Sequence, residues 1–357
     1  MRTIPAVLAL VLISSACKEK NRDIAQNEEI TKNHITLANN ETDKKVDVLV
    51  DGKLFTSYLY ADDISVLKKT TLYPIIAANG EAVTRGYPLD TRPNERTDHP
   101  HHIGAWFNFG DVNGLDYWGN SDEIKTPKNK LGTIRHDKIV SLQSGNESAT
   151  LVVSANWLKP DGKVLMKEDT KFIFYAEEDK RIIDRITTFK ALEETVSFND
   201  TKEGMFAIRT ARALEHLSDG PVTLSDANGN KTDVPVTDNT GVSGQYLSSE
   251  GITGTDVWGT RAKWMALSGS LNKKDVTLMI MDQPQNVGYP TYWHARGYGL
   301  FAANPLGQKA FTDGKEESLN FSLEPNTAVT FTYRIAILDG KKDKAQLEAE
   351  YDKFVRM

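Results

Sequence analysis

Side chains able to do chemistry are concentrated in one short block of this chain, residues 87–118. Three of the seven histidines of the chain, His99, His101 and His102, fall within four positions of this block. The block also holds polar and aromatic residues that could contact a ligand: Arg92, Glu95, Arg96, Trp106, Asp116 and Trp118. Burying such a mixture is costly unless each polar group finds a partner. We expect the block to form the floor of a functional pocket. A salt-bridged loop over a sheet edge is the alternative.

The spacing of the histidines is compatible with more than one chemistry. In an extended segment, His99 and His101 point to one face and His102 to the other. A His-x-His pair on one face can hold a divalent metal, and Pro100 suits a position at the rim of a sheet. A metal would need a third ligand, from Glu203, His294 or Glu95. Acid–base chemistry, contacts to sugar hydroxyls and structural hydrogen bonding are the other interpretations.

In a second candidate stretch, KEGMFAIR, Glu203 lies where a turn enters a strand. Such positions expose side chains to clefts. Glu203 could act as a general base if burial raises its pKa toward the working pH. Arg209, six residues further along, could bind a substrate. A surface glutamate at the end of a strand is the alternative interpretation.

Two aromatic stretches, WGTRAKW and YPTYWHARGYG, supply the remaining candidates. Aromatic rings stack on the C–H faces of sugars, while histidine and arginine bond hydroxyls or a carboxylate. We therefore expect Arg261, Trp293 and Arg296 to bind substrate and His294 to join the catalytic set. That set is then His99, His101, His102, Glu203 and His294. An aromatic corner of the core is the alternative for the second stretch, and a rim arginine with a structural salt bridge is the alternative for Arg261.

Several functional classes are excluded by composition and motif. The sequence contains no serine nucleophile elbow, phosphate-binding loop, dinucleotide fingerprint or zincin helix. Its formal net charge is -6 and it has no basic cluster, which argues against a nucleic-acid partner. No cofactor is indicated apart from the divalent metal considered above.

The N-terminus has the parts of a bacterial lipoprotein signal. Arg2 precedes an apolar run that is too short to span a bilayer, and small residues lead into Cys17, the only cysteine. We predict a signal peptide over 1–16, lipidation of Cys17 and a flexible polar tether over 17–33. An ordinary cleaved signal is the alternative. The protein is then expected in the bacterial cell envelope, held to a membrane by its lipid alone and facing the periplasm or the cell surface.

After residue 33, short alternating runs separated by turn signals indicate antiparallel strands. Asp51-Gly52 predicts a hairpin between residues 46–50 and 53–60. A second hairpin is predicted around 160–162, between 149–158 and 164–175. Other strands are predicted at 181–190, 196–198, 276–281, 319–323 and 328–338.

The C-terminus carries the one convincing helical pattern. Leu347, Tyr351, Phe354 and Val355 lie on one helical face, and Asp343 is a suitable N-cap. A helix over 343–356 should pack on the outside of a sheet. The chain is therefore predicted to be all-β, with one large antiparallel β-sandwich domain over 34–357 and this terminal helix. Residues 218–256 should form a long excursion covering one end of the sandwich.

Four motifs resemble a family of secreted bacterial proteins labelled PmoA-like or "methane oxygenase". They are RPNERTDHPHHIGAWF with GDVNGLDYW, KEGMFAIR, WGTRAKW, and YPTYWHARGYGLFAANPLG, which together extend over residues 87–307. The resemblance implies a galactose-mutarotase-like β-supersandwich, whose members bind sugars in a cleft on a concave sheet. Mutarotases use a histidine acid and a glutamate base there. No role is transferred by position, because their motifs do not match this chain.

These observations favour a lipid-anchored, carbohydrate-active enzyme that uses general acid–base chemistry for hydrolysis, elimination or epimerisation. A non-catalytic glycan-binding lipoprotein is the first alternative. A metal-dependent enzyme acting on a small non-sugar substrate is the second. The expected partner is a carbohydrate or a sugar-derived small molecule.

Overall fold

A computed structural model describes Met1 and residues 34–356. In this part of the chain there are twenty strands and two α-helices. The strands are β1 Ile35–Asn40, β2 Lys45–Val50, β3 Lys53–Leu59, β4 Thr71–Ile75, β5 Ala105–Phe109, β6 Thr133–Gln143, β7 Ser148–Leu158, β8 Val164–Glu177, β9 Lys180–Ala191, β10 Val196–Phe198, β11 Gly204–Arg209, β12 Val222–Ser225, β13 Lys231–Val236, β14 Gln245–Ser248, β15 Trp264–Leu271, β16 Lys274–Asp282, β17 Tyr292–Ala295, β18 Leu300–Asn304, β19 Phe321–Leu323 and β20 Ala328–Asp339. The helices are α1 Gln308–Phe311 and α2 Lys344–Val355.

Sixteen of these strands form two eight-stranded antiparallel sheets. The front sheet has the order β1-β2-β3-β4-β5-β11-β18-β17. The back sheet has the order β14-β15-β16-β20-β9-β8-β7-β6. Two short ribbons, β10 with β19 and β12 with β13, stand outside them. The predicted all-β class and the large antiparallel sandwich are confirmed.

The core lies between the two sheets and takes large apolar side chains from both. Phe107 and Phe206 of the front sheet contact Tyr333 of the back sheet, with ring centroids 6.2 Å and 5.3 Å apart. Such burial of apolar surface is the main force that holds two sheets face to face.

Local sequence signals correctly placed the first hairpin and the terminal helix. Asp51 and Gly52 both have positive φ, 48° and 76°, as the tight turn between β2 and β3 requires. Asp343 caps α2 by accepting a hydrogen bond from the Gln346 amide, and the Gln346 side chain accepts one from the Asp343 amide. The buried face of α2 packs on the outer surface of the back sheet, as predicted.

The segment 218–256 is more regular than its composition indicates. Its β12–β13 ribbon lies beside the loop before β5, and the Glu95 amide donates to Ser225 Oγ at 3.0 Å. Strand β14 then joins the back sheet as an edge strand. The excursion therefore belongs in part to the sandwich, because backbone pairing stabilises even a weakly apolar edge strand.

No helix in the described part of the chain is long and apolar enough to cross a membrane. The predicted signal peptide, Cys17 and the tether over 17–33 lie outside residues 34–356. They stay predictions.

Candidate active site

The candidate site lies on the outer face of the front sheet, the face turned away from the core. A small apolar cluster forms its floor, and its members are Trp106, Trp118, Ala207, Leu300 and Ala302. Because side chains alternate along a strand, the residue after Trp106, Phe107, belongs to the core on the other face. Strands β5, β11, β18 and β17 thus bring together residues that are far apart in sequence.

The histidine segment forms a turn, which corrects the expectation that it is extended. His99 has a φ of 44°, and the His102 amide donates to the His99 carbonyl at 3.0 Å. The His99 and His102 rings are therefore parallel, 4.8 Å apart, while His101 is inclined at 65° to His99 and at 69° to His102. The expectation that His99 and His101 point to one face of an extended segment is therefore wrong, because the backbone turns at His99.

Aromatic contacts connect the histidines to one another and to the floor. His102 stacks on Trp106 at 5.1 Å and meets Trp118 edge-on at 5.5 Å. On its other side His99 stacks against Tyr298 at 5.5 Å. The His99 side chain is 44% exposed, whereas His102 and both tryptophans are buried. His99 and Tyr298 are therefore the part of this stack that a ligand can reach directly.

Asp98 holds this stack in place through two buried arginines. Its Oδ1 accepts from Arg85 Nη1 at 2.7 Å and from Arg209 Nη2 at 2.6 Å, and its Oδ2 lies 3.2 Å from His99 Nδ1. Burial opposes ionisation, but these cationic neighbours outweigh it and hold the pKa of Asp98 well below its usual range.

Arg209 also determines the tautomer of His102. Arg209 Nη1 lies 3.3 Å from His102 Nδ1. Arginine has only donors, so His102 Nδ1 accepts and the ring proton resides on Nε2. Burial lowers the pKa of His102 well below its usual value, so the ring is neutral. Its Nε2 is buried and has no hydrogen-bond partner among the described residues.

Glu203 and His294 form the second part of the site. His294 Nδ1 lies 3.9 Å from Glu203 Oε2, slightly too far for a hydrogen bond. Burial raises the pKa of Glu203, and burial together with the charges of Arg296 and Lys202 lowers the pKa of His294 to about 3. At neutral pH the imidazole is therefore neutral, and Glu203 is the group of the pair that titrates closer to the working range. Glu203 is 33% exposed.

A chain of ring contacts joins the two parts. Trp118, which touches His102, stacks on His294 at 6.4 Å. These contacts, and the electrostatic effect of His99 on the pKa of His294, place both histidines in one region of this face, as the hypothesis of a single pocket requires. Asp116 orients Trp118 because its Oδ1 accepts from the Trp118 and Gly119 amides, both at 2.8 Å.

Lys69 is a buried member of the site that sequence reasoning missed. Its Nζ donates to the His101 carbonyl at 2.6 Å and lies 5.2 Å from the centre of the Trp106 ring. Burial lowers the pKa of Lys69 to about 7, and burial followed by the charge on Lys69 lowers that of His101 to about 2. Arg85 was missed too, because it lies outside the candidate stretches, and Tyr298 was not singled out although it lies within YPTYWHARGYG.

A cleft of about 320 Å³ continues from Tyr298 along the same face of the protein. The side chains that matter for its chemistry are Arg96, His216, Trp258, Arg296 and Tyr298. This volume is in the range of small-molecule sites. Arg96 and Arg296, both predicted from sequence, thus lie beside the histidine stack, and His216 and Trp258 complete the wall.

Four predicted substrate contacts have structural roles instead. Trp293 is 0% exposed in the core between the sheets, where its Nε1 donates to the Ala262 carbonyl at 3.0 Å. Glu95 is buried and accepts from the amides of Gly86, Tyr87 and Arg92 in its own loop. The Arg92 guanidinium supports the same carboxylate, with Nη1 3.7 Å from Glu95 Oε1. Arg261 donates to the carbonyls of Pro290 and Gly288, which stabilises that loop. These contacts depend on which face of a strand a side chain occupies and on how the local turns fold. The residue types in a motif do not specify either.

No group of three or more His, Cys, Asp or Glu side chains within residues 34–356 is arranged to hold a metal ion. The divalent-metal interpretation of His99 and His101 stays a prediction.

Comparison with known proteins identifies the family. The chain belongs to DUF6807, a family of unknown function, whose model matches residues 45–352. No curated protein matches it. The PmoA-like label stays a prediction from sequence.

Among solved structures, an α-galactosidase from Lactobacillus brevis matches with 11% identity, 87% of this chain, 40% of that chain and a TM-score of 0.40. A galactose 1-epimerase from Lactobacillus acidophilus NCFM matches with 8% identity, 87% of this chain, 99% of that chain and a TM-score of 0.34. A galactose mutarotase related enzyme from Lactobacillus acidophilus matches with 10% identity, 86% of this chain, 97% of that chain and a TM-score of 0.32. The chain spans 40% of the length of the α-galactosidase. These values support no conclusion about activity.

Proposed function

We propose that this protein is a carbohydrate-active enzyme that acts on a sugar or glycoside by general acid–base chemistry at Glu203 and His294. One observation carries the proposal: a half-buried carboxyl group with a raised pKa lies 3.9 Å from a neutral, buried imidazole, and the residues that directly follow this histidine, Ala295 and Arg296, line an aromatic cleft. Paired titratable groups whose environments push their pKa values apart are typical of acid–base sites.

The two groups have complementary tasks. Glu203 is reachable from solvent and serves as the base, with a pKa that burial brings closer to the working pH. His294 Nδ1 is buried without a hydrogen-bond partner among the described residues, so it can exchange a hydrogen bond with the carboxyl group or with a substrate hydroxyl. The 3.9 Å gap closes with a small movement, as catalytic hydrogen bonds often do when substrate binds.

The surroundings suit a substrate rich in hydroxyl groups. His101, His102 and His294 are neutral at pH 7, and a neutral imidazole offers one donor and one acceptor, as a hydroxyl can. Tyr298 and Trp258 give the cleft apolar walls against which the C–H groups of a sugar can pack.

We propose further that Cys17 is lipidated and holds this site at the bacterial cell envelope. The support is the N-terminal sequence: an apolar run of signal-peptide length, small residues and a single cysteine directly after them. The site then faces the periplasm or the cell surface, where it can bind glycans from outside the cell.

The test is turnover of a panel of glycosides and free sugars by the wild type and by Glu203→Gln. We expect the variant to lose about 10²-fold or more in kcat, as removal of a general base typically does, with little change in unfolding. The rate of the wild type should fall as pH drops through the raised pKa of Glu203, because the base must be ionised, and this limb should be absent in the variant. Glu317→Gln, at an exposed glutamate, is the matched control.

Full activity in Glu203→Gln would refute the assignment. Binding of a sugar without turnover of any substrate would instead favour the glycan-binding lipoprotein. Activity that is lost on chelation and restored by added Zn²⁺ or Mn²⁺ would favour the metal-dependent alternative.

A further inference from the structure

Arginines outnumber their carboxylate partners around the site. Four of them share two carboxylates: Asp98 pairs with Arg85 and Arg209, and Glu215 pairs with Arg96 and Arg212. This local excess of positive charge contrasts with the formal net charge of -6 of the whole chain. A cation-lined cleft with apolar walls concentrates field lines and attracts anions.

Arg296 is the arginine of this region with no carboxylate partner. Its guanidinium lies 5.4 Å from the centre of the Trp258 ring and 5.9 Å from that of Tyr298. Within residues 34–356, no carboxylate oxygen comes within 4.0 Å of it. Glu203 is close enough to interact with Arg296 electrostatically, but it does not form an ion pair with it.

Two further polar atoms on the cleft wall lack partners. His216 is 6% exposed, and its Nε2 is buried with no hydrogen bond to any described residue. Trp258 Nε1, a donor, is buried and unpartnered in the same way. Buried polar groups in native proteins are nearly always satisfied, so these two atoms are available for hydrogen bonds to groups that the described residues do not supply.

We infer that this cleft binds the carboxylate of an acidic sugar, a uronic acid residue of the substrate, with Arg296 as its principal cation. The inference rests on the proposed function, since it names the class of sugar presented to Glu203 and His294. A planar carboxylate matches the planar fork of a guanidinium and accepts two parallel hydrogen bonds from it. Trp258 Nε1–H and the His216 ring are additional groups that can bond the same sugar residue.

A purely structural role explains the arginine less well. Stacking between two rings uses the faces of the guanidinium, which also interacts electrostatically with the Tyr298 phenol, and leaves in-plane N–H groups available. Arg96 illustrates the difference, because its Nε donates to buried Glu215 at 2.6 Å and its position is fixed by that pair. Arg296 is also held in place, by its contacts with two aromatic rings, but it has no carboxylate partner among the described residues.

The test compares acidic sugars with their neutral parents. Dissociation constants are measured at low ionic strength by saturation-transfer NMR titration for D-galacturonate, D-glucuronate, D-galactose, D-glucose and galactose 6-sulfate. We expect the wild type to bind at least one uronate about tenfold to hundredfold more tightly than its neutral parent, as charged hydrogen bonds typically allow. Arg296→Gln should lower the affinity for the uronate to about that for its neutral parent, which abolishes this preference.

Two variants keep the result interpretable. Arg181→Gln removes an arginine of the back sheet that donates to the carbonyls of Glu177 and Lys180, and it should keep the preference for the uronate. Arg296→Lys preserves the charge but removes the fork, so it should retain only part of the preference. Near-UV circular dichroism verifies that both Arg296 variants are folded.

The outcomes separate this inference from the proposed function. Equal affinity of the wild type for uronates and neutral sugars, or a preference that survives in folded Arg296→Gln, would overturn the acidic subsite alone. Tighter binding of the sulfate ester than of either uronate would overturn the carboxylate assignment. If no sugar of any kind is bound or turned over, both proposals fail.

Discussion

Replacement of Asp98 by Asn is the perturbation that tests most directly how the site is built. Arg85 and Arg209 are 1% and 0% exposed, and each donates to Asp98 Oδ1. Removing one partner of a buried ion pair costs about 3–5 kcal/mol, because the remaining charge is left uncompensated. Asp98 itself is 35% exposed and Asn keeps an acceptor oxygen, so solvent and the amide offset part of this loss. We expect Asp98→Asn to lower the free energy of unfolding by about 2–3 kcal/mol at pH 7.

The pH dependence of this effect has a definite sign. The pKa of Asp98 is held well below its usual range in the folded protein, while in the unfolded chain it is about 4. The ionised carboxylate therefore stabilises the fold at pH values above about 4, and this contribution is lost as pH falls toward the folded-state pKa. The difference between wild type and Asp98→Asn should be largest near neutral pH and shrink in acid.

Urea denaturation followed by tryptophan fluorescence is the appropriate assay, because urea does not screen charges as a salt does. Asp161→Asn is the matched control: its carboxylate also has a lowered pKa, but it is exposed and pairs with exposed Lys163, so its loss should leave stability nearly unchanged. A change at Asp98 as small as that in the control at pH 7, or one that does not diminish in acid, would refute the reasoning.

Two remaining predictions concern the core and the membrane anchor. Trp293→Ala should destabilise the fold by about 3–5 kcal/mol, measured by urea denaturation, because it empties a fully buried position between the sheets; a folded variant of wild-type stability that only binds sugar more weakly would restore Trp293 to the site. Cys17→Ser should move the protein from the membrane fraction to the soluble fraction without a change in melting temperature, since acyl chains supply the anchoring, about 0.8 kcal/mol per buried CH₂; continued sedimentation with membranes would contradict lipidation.

Signals in the sequence located the strands of the back sheet better than those near the site. The alternation in β8 and β9 follows one buried and one exposed face over much of their length. Strands β5, β11 and β18 are buried at every position, because the histidine loop and the aromatic residues cover the face opposite the core. A strand covered on both faces loses its period of two, so the pattern does not tell which side chains face the core.

The composition of the site was therefore easier to predict than its geometry. Residue type marked His99, Glu203, His294 and Arg296 as candidates, and the fold brings them to one surface. The same reasoning placed Trp293 beside them, although it lies one position along β17 on the opposite face. Lys69 carries no motif, and its proximity to His101 arises from the pairing of distant strands.

The sequence by itself determined what short-range physics controls: the Asp51-Gly52 turn, the capped terminal helix, the all-β class and the concentration of chemically active residues in a few segments. Each depends on neighbours within a few positions of the chain, where backbone sterics and hydrogen bonds act directly. Only the tertiary structure decided that Asp98 pairs with two buried arginines, that Glu203 lies beside His294, and that Arg296 lines a cleft without a carboxylate partner among the described residues. Those relations join strands far apart in sequence, and their energies depend on burial and distance, which exist only after the two sheets have packed.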